Sequence, residues 1–439
     1  MRGQTYSLIV LLMLISAAVS AQSTWVQHAQ QAEEFIRRNQ LSRAGGITWP
    51  VVPGDTATAT NLYSGSAGIV LFYLELYHYT GEQEYLHYAR QGADWLVKSL
   101  GRPLPGQDEV GLFTGEAGLC FTLRKVYEAT DDIRYRDAAL TVLDRLTRVT
   151  VAAGEGAASL RYTDIVYGAA GVGLALLDWK DVRSARTLAI QLGHGLLQQS
   201  EKLPTGRRWY MDTAMVRQQY YMPNFSHGTA GVAYFLARLY ELTKDKRFLK
   251  GAEEGAAHLA AIENKDAWIY HHDREDGQSL YYLSWCHGPA GTIQLYHELY
   301  RITKDPVWKD KIRRAADALM KCGIPGTLQP GLWNNQGPCC GTAGVAELFI
   351  GLHRLFGDQA YLDFATVITE DLVSKATPEG HSLKWVMAEH RRRPDLLLAQ
   401  TGYMQGAAGI GMWLLHFDEY LHQRKSFVRL PTDFLPGRK

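Results

Sequence analysis

Cysteine is scarce in this chain: five residues in 439. Five is odd, and their spacing gives no obvious disulfide framework. Charge of one sign is also lacking. Lys and Arg total 46 against 45 for Asp and Glu, which excludes the concentrated positive charge of a nucleic-acid binder or polybasic membrane-surface protein. The run Arg391-Arg392-Arg393 precedes Pro394 and reads as a solvated turn. The apolar run Leu8 to Val19 is too short to span a bilayer comfortably. With Arg2 before it and small residues ending at Ala21, it has the layout of a secretory signal. The expectation is cleavage after Ala21 and export to the periplasm or medium. That leaves a mature chain, 22–439, without membrane insertion; an uncleaved anchor is the alternative.

Hydrophobic residues at 46% and charged residues at 21% suit a soluble protein with a large core. Length alone suggests about three domains, but the chain repeats. Gly-x-x-Gly recurs at Gly65, Gly115, Gly168, Gly228, Gly288, Gly341 and Gly406, always with alanine before the second glycine. One such motif means nothing; seven with the same apolar continuation are not chance. After Gly228 the apolar positions Val232, Phe235, Leu236, Leu239 and Tyr240 make one helical stripe. "TKDKRF" breaks it, and a second amphipathic stretch follows. Each repeat is therefore a helical hairpin, unable to bury its faces alone. Seven hairpins predict an all-α protein, an α/α toroid of about fourteen helices, with the Gly-rich helix starts gathered at one end.

The residues just before each Gly-x-x-Gly differ between copies. The fourth copy has His227, the fifth Cys286-His287 and the sixth Cys339-Cys340; the third has Asp164 four residues ahead of Gly168. A toroid brings these positions together. Cys339 and Cys340 are a poor disulfide pair, because a bridge between neighbours closes a strained ring. Three converging cysteines suit a soft-ligand divalent metal, best zinc, with a fourth tetrahedral position left open as in catalytic sites. The plainer alternative is three buried structural thiols. Cys120 and Cys322 read as packing residues.

The pattern resembles the lanthionine synthetase C-like family, the lanthipeptide cyclases and their eukaryotic relatives. The resemblance runs from the first Gly-x-x-Gly to "TGYMQGAAGIGMWLL", and its specific parts are "SHGTAG", "WCHGPAG" and "CCGTAG". It implies one double-layered α/α barrel of seven hairpins over 22–439. It also implies a zinc ion held by Cys286, Cys339 and Cys340, the last in place of the more usual histidine. The implied reaction is conjugate addition of a thiol, from a peptide or small molecule, to a dehydroalanine or dehydrobutyrine. His227 is then the candidate acid–base group. Asp164 would orient a partner or stabilise charge, and His287 would act at the site or support the adjacent ligand. Some members carry arginine four residues before the first cysteine ligand, where this chain has Tyr282. Two other functions remain open: a carbohydrate-active toroid enzyme, which needs paired carboxylates, and a non-catalytic zinc-dependent binding module.

Overall fold

The computed structural model describes residues 23–434 apart from 155, 180 and 217. The leader expected over 1–21 lies outside the described residues. Each Gly-x-x-Gly opens an inner helix with its first glycine as N-cap. These helices are α2 (Ser66–Thr80), α4 (Glu116–Thr130), α6 (Ala169–Leu177), α8 (Thr229–Thr243), α11 (Pro289–Thr303), α13 (Thr342–Phe356) and α15 (Ala407–Leu421). The outer layer is α1 (Thr24–Arg38), α3 (Gln83–Ser99), α5 (Ile133–Val149), α7 (Arg183–Gln199), α9 (Lys246–Ile262), α12 (Pro306–Lys321) and α14 (Gln359–Ser374). A single turn, α10 (Glu275–Gln278), lies in a loop.

The two layers differ as their sequences require. In α2 every residue from Ser66 to Leu76 is buried, the mark of a helix covered all round. In α12 the buried set is Ile312, Ala315, Ala316 and Leu319, one face of an amphipathic helix. The link inside a hairpin uses the same device repeatedly. Asp131, Lys244 and Lys304 end α4, α8 and α11 in the left-handed conformation, where Gly81 and Gly357 end α2 and α13. One residue later Asp132, Asp245, Asp305 and Asp358 cap α5, α9, α12 and α14, accepting from a first-turn N–H.

The seven inner helices pack side by side, and the last, α15, packs on the first, α2. The α/α toroid is therefore closed. One hairpin departs from the simple repeat: among the described residues α15 has no helix following it as an outer partner and pairs instead with α1. The seventh hairpin is thus joined from two distant segments of the chain. Among the described residues no helix is long and apolar enough to cross a membrane.

Candidate metal centre and active site

The turns that enter the inner helices form a closed ring held by main-chain hydrogen bonds. Tyr63 N–H donates to Phe113 O (2.8 Å), Phe113 to Val166 (3.2 Å), Ile165 to Ser226 (3.2 Å) and Ser226 to Cys286 (2.8 Å). Cys286 then donates to Cys339 (3.0 Å), Cys339 to Met404 (3.1 Å) and Met404 back to Tyr63 (2.8 Å). The glycines make this ring possible. A Cβ at Gly228 would lie 1.7 Å from Met222 O, and one at Gly231 2.0 Å from Phe225 O, separations no side chain can occupy.

Two positions per turn can therefore carry chemistry: the second and the first residue before each Gly-x-x-Gly. Going round the ring they are Tyr63-Ser64, Phe113-Thr114, Val166-Tyr167, Ser226-His227, Cys286-His287, Cys339-Cys340 and Met404-Gln405. Cys286 and Cys339 hold equivalent places on neighbouring turns, and Cys340 stands next to both.

The structure brings the three predicted cysteines together. Cys286 Sγ is 3.3 Å from Cys340 Sγ, and Cys340 Sγ is 3.5 Å from Cys339 Sγ. All three ligand atoms lie within 4.8 Å of one another. Cys120 and Cys322 are outside this group; their thiols point at the carbonyls of Ala139 and Leu319. Burial pushes the Cys286 thiol well above its ordinary pKa, with Cys339 and Cys340 adding to the effect. Cys339 is held well below its own by hydrogen bonds from Cys286 and Cys340, and Tyr63 contributes another. Gln405 Nε2 reaches Cys340 Sγ at 3.6 Å and donates to the Tyr63 hydroxyl at 3.0 Å. Asn335 Nδ2 fixes Gln405 by donating to its Oε1 at 2.8 Å. Tyr63, Gln405 and Asn335 are site residues that sequence reasoning missed. The first two occupy the same pre-glycine positions as the cysteines, so the repeat itself carried the signal.

His227 Nδ1 is 2.6 Å from Asp164 Oδ2. Asp164 is fully buried, while the His227 side chain is 21% exposed. The second oxygen of Asp164 accepts from Tyr167 N–H at 3.1 Å. This leaves His227 Nε2 directed away from the carboxylate. The His287 ring lies 5.4 Å from that of His227 and 4.5 Å from that of His271. Its recorded hydrogen-bond contact is Ser226 Oγ at 3.5 Å, so His287 sits beside His227 in an aromatic wall.

Tyr282 joins that wall, stacked on His271 at 4.3 Å. Its hydroxyl is pushed up to about 12 by burial and by Cys286, against a hydrogen bond from Arg391. Arg391 sits in the connection between two paired strands, Val386–Ala388 and Leu397–Ala399. The basic run is a turn, as read, with Arg392 and Arg393 exposed, but Arg391 is half-buried. Arg392 pairs with Asp276 at 2.9 Å, and Arg391 turns inward to Tyr282. A guanidinium from the seventh repeat therefore lies against Tyr282.

A closed α/α toroid with three thiols and a His–Asp pair at its helix starts defines the protein class. The chain belongs to the lanthionine synthetase C-like protein family, whose sequence profile matches residues 56–428. A glutathione S-transferase, LANCL1, of Danio rerio is 23% identical over 307 residues, 68% of this chain and 71% of that protein. Among solved structures, nisin cyclase superposes with a TM-score of 0.64 at 15% identity, covering 91% of this chain and 93% of that one. The GH76A α-1,6-mannanase of Salegentibacter sp. HEL1_6 superposes at 0.50 and 12% identity, covering 90% and 99%. These likenesses between structures establish the shared toroid.

Proposed function

We propose that this protein binds zinc through Cys286, Cys339 and Cys340 and catalyses addition of a thiol to a dehydroamino acid, forming a thioether. The observation that carries the reading is the convergence of three thiols beside a His–Asp pair on one ring of turns. The donor set fits the metal. Tetrahedral zinc with bonds of ~2.3 Å to sulfur spaces its ligands about 3.8 Å apart, close to the separations found, and hydrogen bonds from Cys286 and Cys340 hold Cys339 well below its ordinary pKa. Zinc, when bound, would deprotonate a substrate thiol at its open position and keep the sulfur nucleophilic.

The chain's own residues supply the rest. The sulfur bonds to the β-carbon of the alkene, and the α-carbon gains a proton; the thiol proton is released, so the addition is redox-neutral. His227 delivers the proton to the α-carbon. Asp164 fixes the His227 ring through Nδ1, leaving Nε2 for the substrate. Tyr63 and Gln405 hold two of the sulfurs in place by hydrogen bonds. His271 is kept neutral, its pKa lowered to about 3 by burial, His272 and Arg391, and Arg391 with Tyr282 forms a polar edge for an anionic or carbonyl group. The relative described as a glutathione S-transferase supports a small thiol as substrate, and the cyclase-like fold supports a peptide. Export would place the reaction outside the cytoplasm; N-terminal sequencing should then begin near Gln22.

A glycosidase reading finds little support in the site. Asp164 sits at the turns with both its oxygens committed, to His227 and to Tyr167. The deciding experiment incubates zinc-loaded protein with a dehydroalanine peptide and glutathione and follows thioether mass. Product that depends on Cys286 supports the reading. Loaded protein that yields none, with either a small thiol or a cysteine peptide, overturns it and leaves a zinc-dependent binding module.

A further inference from the structure

A second cluster of ligand-type side chains lies inside the barrel, away from the cysteine turns. Glu75 is the tenth residue after Gly65 and His416 the tenth after Gly406. They therefore sit at matching depths on the adjacent helices α2 and α15, about 15 Å along the helix from the turns. Glu419, one helical turn beyond His416, faces the same way. One ligand atom from each of Glu75, His416 and Glu419 lies within 4.8 Å of the other two. All three residues are buried.

Several observations suit this cluster to a cation. His416 is 6% exposed, yet its Nε2 has no hydrogen-bond partner. It stands 3.9 Å from Glu75 Oε2, too far for a hydrogen bond but right for two ligands of one ion, whose bonds of ~2.0–2.2 Å space donors about 3–4 Å apart. Glu419 Oε2 is also buried and unpartnered. A cavity of about 20 Å³ opens beside His416 and is lined also by Glu347 and Asp433, room for a water completing a coordination shell. Two buried carboxyl groups, Glu75 and Glu419, and two half-buried ones, Glu347 and Asp433, thus surround one imidazole. Arg429 acts on Glu347 and Asp433.

The cluster also fastens a segment of chain. Phe427 N–H donates to Glu75 Oε1 at 2.9 Å and Val428 N–H to Oε2 at 2.5 Å, while Phe434 N–H donates to Glu347 at 3.2 Å. Each Glu75 oxygen keeps a lone pair for a metal. We propose that Glu75, His416 and Glu419 bind a divalent cation, zinc or manganese, that clamps residues 427–434 across the barrel floor. Imidazole with carboxylates, and no thiolate, distinguishes this site from the cysteine centre and favours these ions.

The test uses the full mature chain with the cysteine centre disabled, as Cys286→Ser with Cys339→Ser. Metal-stripped protein is titrated with zinc and, separately, with manganese, and read by metal analysis, manganese paramagnetic resonance and thermal melting. The expected result is about one ion retained per chain and a higher Tm with added ion. Adding His416→Gln should remove that ion and the Tm response. Failure of the stripped double-serine protein to take up either ion, with Tm unchanged, overturns the proposal and leaves a floor neutralised by protons. Uptake that survives His416→Gln overturns the residue assignment. Should His416→Gln not fold, the titration of the double-serine protein decides alone.

Discussion

Two arcs of the same ring of turns behave differently. In the first, second and seventh repeats the pre-glycine pairs are Tyr63-Ser64, Phe113-Thr114 and Met404-Gln405; in the fourth to sixth they are Ser226-His227, Cys286-His287 and Cys339-Cys340. The backbone does the same thing in both arcs. Each turn passes one main-chain hydrogen bond to the next, and each second glycine admits a carbonyl where a Cβ would stand. The scaffold is therefore built by the repeat, and reactivity is added by substitution at two positions per copy. The quiet arc is not idle, since Tyr63 and Gln405 reach across to the sulfurs.

The strongest way to break this comparison is to make the reactive arc resemble the quiet one. Cys286→Ser with Cys339→Ser should reduce the zinc of that centre from about one per chain to almost none and abolish thioether formation. Helical circular dichroism should be largely unchanged, because the ring is held by main-chain bonds that serine preserves. A double variant that keeps its zinc with His416 also replaced would place the metal elsewhere. Loss of all helix would mark the cysteine metal as structural.

Next in size is the imidazole. His227→Asn should retain zinc and fold but slow thiol addition on the order of 100-fold. Asp164→Asn, which leaves His227 without its orienting carboxylate, should cost on the order of 10-fold. The measurement is single-turnover thioether formation with zinc content followed in parallel. An unchanged rate in His227→Asn would remove this residue from the chemistry while leaving the cysteine centre intact.

A pair of glycine variants sharpens the comparison. A Cβ on Gly118, in the quiet arc, would meet Leu112 O at 2.3 Å; one on Gly291, in the reactive arc, would meet Trp285 O at 2.1 Å and Phe225 Cβ at 2.5 Å. Both alanine variants should lose stability, on the order of 1–3 kcal/mol, in denaturant titration. Only Gly291→Ala should also weaken zinc, because Trp285 adjoins Cys286 and a shift of that turn moves a ligand. Equal zinc affinity in both variants would show that the turns tolerate displacement without moving the sulfurs.

Much of this was legible before any coordinates. The recurrence of Gly-x-x-Gly specifies seven inner helices, and the residues ahead of it point to Cys286, Cys339, Cys340, His227 and Asp164. What was hidden has physical reasons. Helix α1 carries no Gly-x-x-Gly, so its role as the outer partner of α15 has no local signature; the pairing is set by packing between distant segments. In α6 the helical run ends at Leu177, its ninth residue, shorter than the repeat implies. Arg391 reaches Tyr282 from a strand connection more than 100 residues away, and composition does not tell it from its exposed neighbours Arg392 and Arg393. The cluster of Glu75, His416 and Glu419 is invisible as a motif because its members come from the first and last inner helices.

The smallest effect concerns pH and again separates the arcs, since the histidines lie on one side. His271 packs between Tyr282 and His287, and its pKa falls to about 3, chiefly through burial and then through His272 and Arg391. His287 moves the same way, lowered by burial, His271 and His227. An unfolded histidine takes its proton near pH 6.5, so between that value and about 3 the unfolded chain binds protons that the folded one refuses. Stability is then fully present above about pH 6.5 and declines as the pH falls toward 3. His271→Gln should lower Tm somewhat at every pH by losing the stack on Tyr282, so the level is not the readout. The slope is: the drop in Tm between pH 7 and pH 5 should be smaller in His271→Gln than in the parent, with His287 supplying what remains. Parallel Tm curves for the two proteins would mean that His271 accepts its proton in the folded state as readily as in the unfolded chain.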